Sequence, residues 1–425
     1  MSEVLGPLTL IRSLSPDERN AFLGSFLGWT LDAFDFFLTS FLFVRIAAEF
    51  HVPVPAVVAA NTTTLMFRPL GALLFGMLAD RYGRRGPLMA NIAFYSLMEI
   101  LTAFSPNITV FIAIRALYGI GMGGEWGVGA ALALESLPSK ARGFASGVLQ
   151  QGYATGFLLA AIVFGIYAHF APPDSWRGLY IVGVLPALLV FYIRSFVKES
   201  PTFRAGKARE LGQRENLLTA FARNPWIFIY AMLLMTAFNC MSHGTQDLYP
   251  LFLSKQRLLP TTAVSTVTVI VQIGAIIGGS FFGYLSQSFG RRRSIILAAG
   301  LGLLAVPLWM FAPNTALLAL GGFILQFFVQ GAWGIIPVHL NELSPGDVRG
   351  TFPGFTYQLG NFFAASIAQF ETSLAAGYAP PGGVANYARA LSTTVVIVFV
   401  VVIILAAIGK ERRGVEFTRA AGNAA

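Results

Sequence analysis

The chain has 425 residues, 55% of them hydrophobic and only 12% charged, with a mean hydropathy of +0.66. Soluble domains carry about 25% charged residues, so a water-soluble helical protein of this length is excluded for lack of charge to cover its surface. The formal charge of +9 does not point to nucleic acid, because the basic residues sit between apolar runs, and the one cysteine, Cys240, excludes an internal disulfide or a cysteine-based metal cluster.

The first twenty residues are polar, with no apolar signal-peptide core, and SPDE at Ser15 to Glu18 reads as a capping box opening a helix. Turn signals and charge clusters then divide the chain into twelve apolar segments near 20–45, 57–78, 88–104, 108–134, 144–169, 178–197, 225–253, 262–285, 294–312, 314–340, 351–376 and 388–409. Each approaches the roughly 20 residues that a membrane-spanning helix requires.

Ionisable groups inside such spans are costly and mark function. The first span, GWTLDAFDFFLTS, places Asp32 and Asp35 on one face with Ser25, Gly28 and Thr39. A carboxyl in a low dielectric is suited to carrying a proton, while one of the two, Asp32 in particular, is equally suited to be a standing partner for an arginine. In the second span, NTTTLMFRPLG, Arg68 shares a face with Asn61 and Thr64 and can grip a carboxylate with two parallel hydrogen bonds. An ion pair with Asp35 is the structural alternative, and substrate displacing the aspartate would reconcile the two. Glu99 on the third span reads as peripheral. Arg115 and Glu125 on the fourth lie ten residues, or about 15 Å, apart and cannot pair with each other, so packing and gating are expected of them. Gln150, Gln151 and Tyr153 on the fifth span, with Gln358 and Asn361 on the eleventh, are candidate cavity residues. His51, His169 and His339 lie near span ends and carry no expected chemistry.

The seventh span holds the densest polar stretch, NCMSHGTQDLYP. On a helical wheel Asn239, Ser242, His243, Gln246 and Asp247 fall within an arc of about 140°, opposite Met241, Leu248 and Tyr249. That face is about 12 Å long. Hydrogen-bonding glue between helices accounts for one or two such residues, not for five with two ionisable members.

Twenty-two of the 29 basic residues fall on one side of the spans when both termini are placed in the cytoplasm, against five on the other. This is the positive-inside pattern. The chain also repeats: GMLADRYGRR (76–85) matches GYLSQSFGRR (283–292), and GEWG…ESLPSKARG (124–143) matches GAWG…ELSPGDVRG (331–350), both at an offset of 207. Two distant motifs with one offset indicate two six-helix halves, 1–197 and 225–425, joined by a basic cytoplasmic linker at 198–224.

The GMLADRYGRR motif after the second span resembles the signature of the major facilitator superfamily, and RALYGIGMGGE (115–125) resembles its fourth-helix motif. The resemblance implies an all-α integral membrane fold of twelve transmembrane helices in two pseudo-symmetric halves. It also implies a cytoplasmic lock in which Asp80 meets a helix N-terminus and cations such as Arg84, released during turnover. The second copy has Gln287 in place of Asp80, so the lock of the N-terminal half is expected to be the stronger. The stretch N-x-x-S-H-x-T-Q-D resembles the seventh-helix motif of the yeast-type lactate permeases, whose relatives include sialate:proton symporters. It implies monocarboxylate–proton symport with Asn239, His243, Gln246 and Asp247 as substrate and proton residues, and a second-helix arginine, here Arg68, on the substrate anion. The family pattern closes with Thr where this chain has Pro250, which is expected to kink the outer end of the helix.

No nucleotide-binding loop, dinucleotide fingerprint, metal-ligand cluster or serine elbow is present, so no catalytic residue, metal or cofactor is expected. An intramembrane hydrolase would leave the repeat unexplained, and a transporter-like sensor would call for a long cytoplasmic extension. The expectation is a monomeric secondary transporter of the cell membrane, moving a small carboxylate such as lactate or pyruvate with protons. A larger acid such as sialate, or a sugar, is the alternative. Arg68, Asn239, His243, Gln246 and Gln358 would bind substrate. Asp35 and Asp247 would face each other across the pseudo-two-fold axis and one of them, Asp35 by choice, would carry the proton, with His243 and Asp247 as a hydrogen-bonded pair and Asp32 a further proton-coupling candidate. Asp80, Arg84, Arg115 and Glu125 would gate.

Overall fold

The computed structural model describes residues 12–52, 54–170, 176–207, 217–249, 252–345, 348–380 and 385–415. Among them every regular element is helical. The first four spans are α1 (Pro16–Glu49), α2 (Val54–Tyr82), α3 (Arg85–Ala103) and α4 (Ile108–Ser136). The fifth is divided into α5 (Arg142–Gln150) and α6 (Gly152–Phe170), and the sixth into α7 (Arg177–Val182) and α8 (Pro186–Phe196). Two short helices, α9 (Pro201–Lys207) and α10 (Leu217–Arg223), flank linker residues 208–216, which lie outside the described ones. The second set comprises α11 (Pro225–Gln246), α12 (Thr261–Phe289), α13 (Arg291–Phe311), α14 (Thr315–Trp333) with α15 (Ile336–Leu343), α16 (Phe352–Ala364) with α17 (Ile367–Gly377), and α18 (Tyr387–Ile408). Ten stretches are long and apolar enough to cross a membrane by length and composition. The chain forms twelve spans, arranged as two sets of six.

The offset of 207 reappears as packing. Gly71 lies against the carbonyl of Ile120 and Gly278 against that of Phe327, each so close that a methyl group would strike backbone. Small residues here let α2 meet α4, and α12 meet α14, backbone to backbone. Asn107 caps α4 by accepting from Val110 N at 2.9 Å, and Asn314 caps α14 by accepting from Leu317 N at 2.9 Å. Arg84 pairs with Glu135 at 3.0 Å and Arg291 with Glu342 at 3.0 Å. The turns before α3 and α13 use Gly83 and Gly290 at φ +103° and +102°, a backbone region that suits glycine. Each turn meets a carboxylate: Glu199 accepts from Arg84 N (2.8 Å) and Arg85 N (3.1 Å), and Glu411 accepts from Arg292 N (3.1 Å). An anion at a helix N-terminus satisfies its orphan N–H groups. The capping box at Ser15 forms too, with Glu18 N donating to Ser15 Oγ at 3.3 Å and Ser15 N to Glu18 Oε2 at 2.7 Å.

The two halves close on each other at the end of the bundle that holds both described termini. Asp80 accepts from Gly350 N (2.7 Å), Thr351 N (2.9 Å) and the Thr351 hydroxyl (2.6 Å), just ahead of α16. Arg84 stands 3.3 Å from Asp80 on its other side. The counterpart, Gln287, accepts from Gly143 N (3.1 Å) and donates to Ser139 O (3.1 Å). Three bonds to a charged acceptor against two neutral ones make the Asp80 contact the stronger. Ser146 donates to Gly334 O at 2.7 Å, and Gly127 packs on Gly354. The tail after α18 crosses the same face: Gly414 N donates to Glu342, and Arg142 of the first half donates to Val415 O at 2.8 Å.

Toward the opposite end the seventh span departs from expectation. The helix α11 ends at Gln246 rather than continuing to 253, and a wide π turn lies at Phe252–Gln256. Pro250 has no N–H to give the Gln246 carbonyl, so the regular ladder cannot run through it. The kink expected at Pro250 itself lies outside the described residues, as does the side chain of His169.

Candidate substrate and proton site

In the first half the polar centre is larger than the sequence suggested, and it is buried. Arg115 donates to Glu99 at 2.8 Å, with both side chains fully enclosed, and its guanidinium lies 3.9 Å from the centre of the Tyr118 ring. Glu99 is therefore not peripheral: it anchors the centre of this half. Asp35 is 0% exposed and lies among Glu99, Asp32 and Arg115, and both its oxygens lack a hydrogen-bond partner. Asp32, also buried with unpartnered oxygens, stands between two cations, Arg68 and Arg115. Glu125 is pressed against Gly28 of α1, with the Asn91 side chain of α3 beside its carboxylate.

Four buried acids thus share two cations, Arg68 and Arg115. Burying an uncompensated carboxylate costs several kcal/mol even after relaxation, so which of the four is charged depends on how the two cations are shared. Glu99 has Arg115 in direct contact and Arg68 is the first cation acting on Asp32. Asp35 and Glu125 have no cation in contact among the described residues.

Two placements differ from the sequence expectation. Asp35 does not face Asp247 across the two-fold axis but points into its own half. Arg68 takes Asp32, not Asp35, as its neighbouring acid. Arg115 and Glu125 are enclosed among α1, α3 and α4, apart from the contact that Asp80 and Arg84 make between the halves. The physical reason is that the α1 face bearing Ser25, Gly28, Asp35 and Thr39 packs on neighbouring helices. Gly28 receives Glu125, and Thr39 accepts from Tyr180 at 2.9 Å.

Arg68 is the cation that reaches out of this half. It is 1% exposed, its Nε and Nη2 have no hydrogen-bond partner, and its charge acts on Asp32, on Tyr153 of α6, on Tyr357 of α16 and on His243 of α11. The guanidinium therefore lies where the two halves meet. Aromatic rings wall this place: Trp126 lies tilted against Tyr357 with centroids 4.6 Å apart, Trp333 meets Tyr357 edge-on at 5.5 Å, and Trp29 stacks on Tyr153 at 5.4 Å.

On the other side, α11 presents the polar face read from the sequence. His243 Nδ1 lies 3.1 Å from Asp247 Oδ2, and its Nε2 lies 3.2 Å from Asn361 Oδ1. Asn361 Nδ2 in turn donates to Gln358 Oε1 at 3.4 Å, while Gln358 Nε2, buried, has no partner. The side chains of His243 and Asp247 are 26% and 43% exposed, so this chain opens away from the closed end. Gln246 donates to Ser242 Oγ (3.0 Å) and to Gln326 Oε1 (3.2 Å), and Gln326 donates to Thr245 Oγ1 (2.8 Å). Asn239 is buried and donates back to Met235 O of its own helix at 2.8 Å. Gln150 accepts from Trp126 Nε1 at 3.0 Å, and Gln151 wedges against Gly279 of α12.

The sequence reading missed Gln326, the Trp126–Tyr357 wall and Glu371. Gln326 had a signal: it is an amide within the uncharged tenth span, on the face that α11 meets. The aromatic wall had none, because six Trp and 13 Tyr in an apolar chain do not single themselves out.

A family model described as Major Facilitator Superfamily matches residues 25–369. The chain is 31% identical over 398 residues to a carboxylic acid transporter protein homolog of Saccharomyces cerevisiae, covering 88% of this chain and 64% of that protein, so it spans under two thirds of that relative's length. It is 33% identical over 359 residues to a probable 4-methylmuconolactone transporter of Cupriavidus pinatubonensis, covering 83% and 82% of the two chains. It is 28% identical over 354 residues to the sialic acid transporter NanX of Escherichia coli, covering 82% and 85%. Among solved structures, the proton:xylose symporter XylE bound to 6-bromo-6-deoxy-D-glucose superposes with a TM-score of 0.73 over 95% of this chain and 98% of that one. At 18% identity this likeness concerns the fold alone.

Proposed function

This chain belongs to the Major Facilitator Superfamily, a family of transporters rather than enzymes, and on that premise we propose that it carries a small monocarboxylate such as lactate or pyruvate across the membrane together with a proton. The observation that carries the reading is Arg68: a buried guanidinium at the junction of the halves with donors unsatisfied by protein. A planar fork of N–H groups matches a carboxylate, and the His243–Asn361–Gln358 chain supplies further donors and acceptors on the opposite wall. The yeast, Cupriavidus and Escherichia relatives named above for organic acids or their lactone support the same chemistry.

Coupling follows from the charge balance. With no substrate, Arg68 compensates Asp32. When a carboxylate takes Arg68, Asp32 loses its counter-ion, and the acids of the first half accept one more proton to stay neutral. Substrate and proton then leave together once the Asp80 contact releases and the closed end opens. Both termini and the linker at 198–224 are cytoplasmic in this scheme, the halves are 1–197 and 225–425, and a monomer in the cell membrane suffices.

A larger acid is the second reading, favoured by the similarity to the sialic acid transporter. Competition separates the two. In proteoliposomes, uptake of labelled lactate should be inhibited by pyruvate and progressively less by acids of increasing size. Stronger inhibition by sialate than by pyruvate would replace the small-acid reading with the large-acid one.

A further inference from the structure

The transport reading uses the acids of the first half and the His243–Asp247 pair. It leaves Glu371, on α17 in the second half, without a task. Glu371 is 0% exposed, and neither carboxyl oxygen has a hydrogen-bond partner. Among the described residues it is the one acid of the second half in that condition. Its carboxyl rests on α11 at Gly244: a Cβ there would stand 3.0 Å from Glu371 Oε1. Gly244 directly follows His243 and lies one helical turn before the Asp247 side, so the carboxyl packs behind the exposed pair.

A buried carboxylate with neither cation nor donor is held as the neutral acid, because ionising it in place costs more than keeping the proton. The groups facing it are few. On α11 these are Cys240 and Asp247, which are electrostatic neighbours of Glu371. On α18, the other helix packed on α17, the charged residue near their contact is Arg389, which stacks on Tyr378 at 4.4 Å. Tyr378 is seven residues, about 10 Å, along the helix from Glu371. Among the described residues no cation pairs with the acid in this state.

The absence of a side chain at 244 matters for motion. The segments α16 and α17 are separated by a break at Ala365–Ser366, so α17 can shift against α11 without α16 following. A glycine under the carboxyl lets it slide along α11 toward Asp247 with no Cβ in the way.

We infer that Glu371 is a second proton carrier of the transport cycle, delivering its proton to the His243–Asp247 pair when α17 moves over Gly244. In that step the O–H bond of Glu371 breaks, the proton joins the Asp247 carboxylate, and the negative charge passes from one acid to the other. The inference rests on the proton-coupled reading above.

The test uses the full chain in proteoliposomes with an entrapped pH dye, reading protons entering per labelled acid and the pH profile of uptake. Glu371→Gln keeps the shape and neutrality of the protonated acid and removes its proton. The expected result is a lower proton-to-substrate ratio and a flattened pH profile, while counterflow of labelled acid continues. A ratio and profile identical to wild type would overturn the inference and leave Glu371 as neutral packing. If the glutamine variant does not fold, Glu371→Asp serves: it retains an acid one methylene shorter and should keep the ratio while shifting the profile, and an unmoved profile overturns the inference. Wild-type protein that moves no protons would instead reject the symport reading itself, a separate outcome.

Discussion

Arg68→Lys is expected to lower lactate uptake about tenfold or more, although the charge is retained. Lysine presents a compact ammonium on a flexible stem, so the two parallel hydrogen bonds of the guanidinium are not reproduced. Hydrogen bonds to charged groups contribute about 1.5–3 kcal/mol each, and losing one such bond amounts to roughly a factor of ten or more. Initial uptake rates at saturating and limiting substrate, with the amount of folded protein in the bilayer measured alongside, check this. The loss should fall mainly on apparent affinity, because the clamp acts on the anion itself. Near wild-type uptake by the lysine variant would make Arg68 an electrostatic partner of Asp32 and nothing more.

Asp35→Asn is expected to abolish accumulation of substrate against a gradient while exchange of external for internal substrate persists. Asparagine is close in shape to a protonated aspartic acid, so the packing beside Glu99 and Gly183 is kept. It holds the site permanently in the state that Asp35 reaches only when loaded, and a site that cannot release its proton cannot reset without substrate. Exchange needs no such reset. The measurements are steady-state accumulation with a pH gradient and counterflow without one. Should Asp35→Asn still accumulate substrate while Asp32→Asn does not, the titrating acid is Asp32, and Asp35 is a standing neutral neighbour.

Much of the fold was legible because it is written as spacing. Spans of about 20 apolar residues separated by charge clusters, and motifs repeated at 207, required no knowledge of the third dimension, and the same offset governs the glycine contacts, helix caps and buried ion pairs. The polar face of α11 was legible because five residues at helical spacing define a direction. What that direction meets is another matter. A wheel fixes the face of one helix relative to itself, not its rotation in the bundle. For α11 the polar face met the junction of the halves. For α1 the face with Asp35 met α4 and α7 instead, which hid Asp35 inside its half, where Glu99 and Arg115 pair across 16 residues of sequence. Glu371 escaped notice for a related reason. The break at Ala365–Ser366 interrupts the helical phase, so Gln358 and Asn361 on α16 gave no indication of where a residue on α17 would point.

Uptake of labelled lactate by proteoliposomes under an imposed pH gradient measures directly whether a carboxylate and a proton cross together. One pH unit is worth about 1.4 kcal/mol, a factor of about ten in accumulation for one proton per substrate. Liposomes without protein and liposomes with Arg68→Lys correct for passage of the undissociated acid through lipid. Accumulation above these controls is expected when the outside is acidic, rising about tenfold per unit and collapsing when a protonophore is added. Uptake by the wild-type protein that is indifferent to the gradient and to the protonophore would contradict the symport reading.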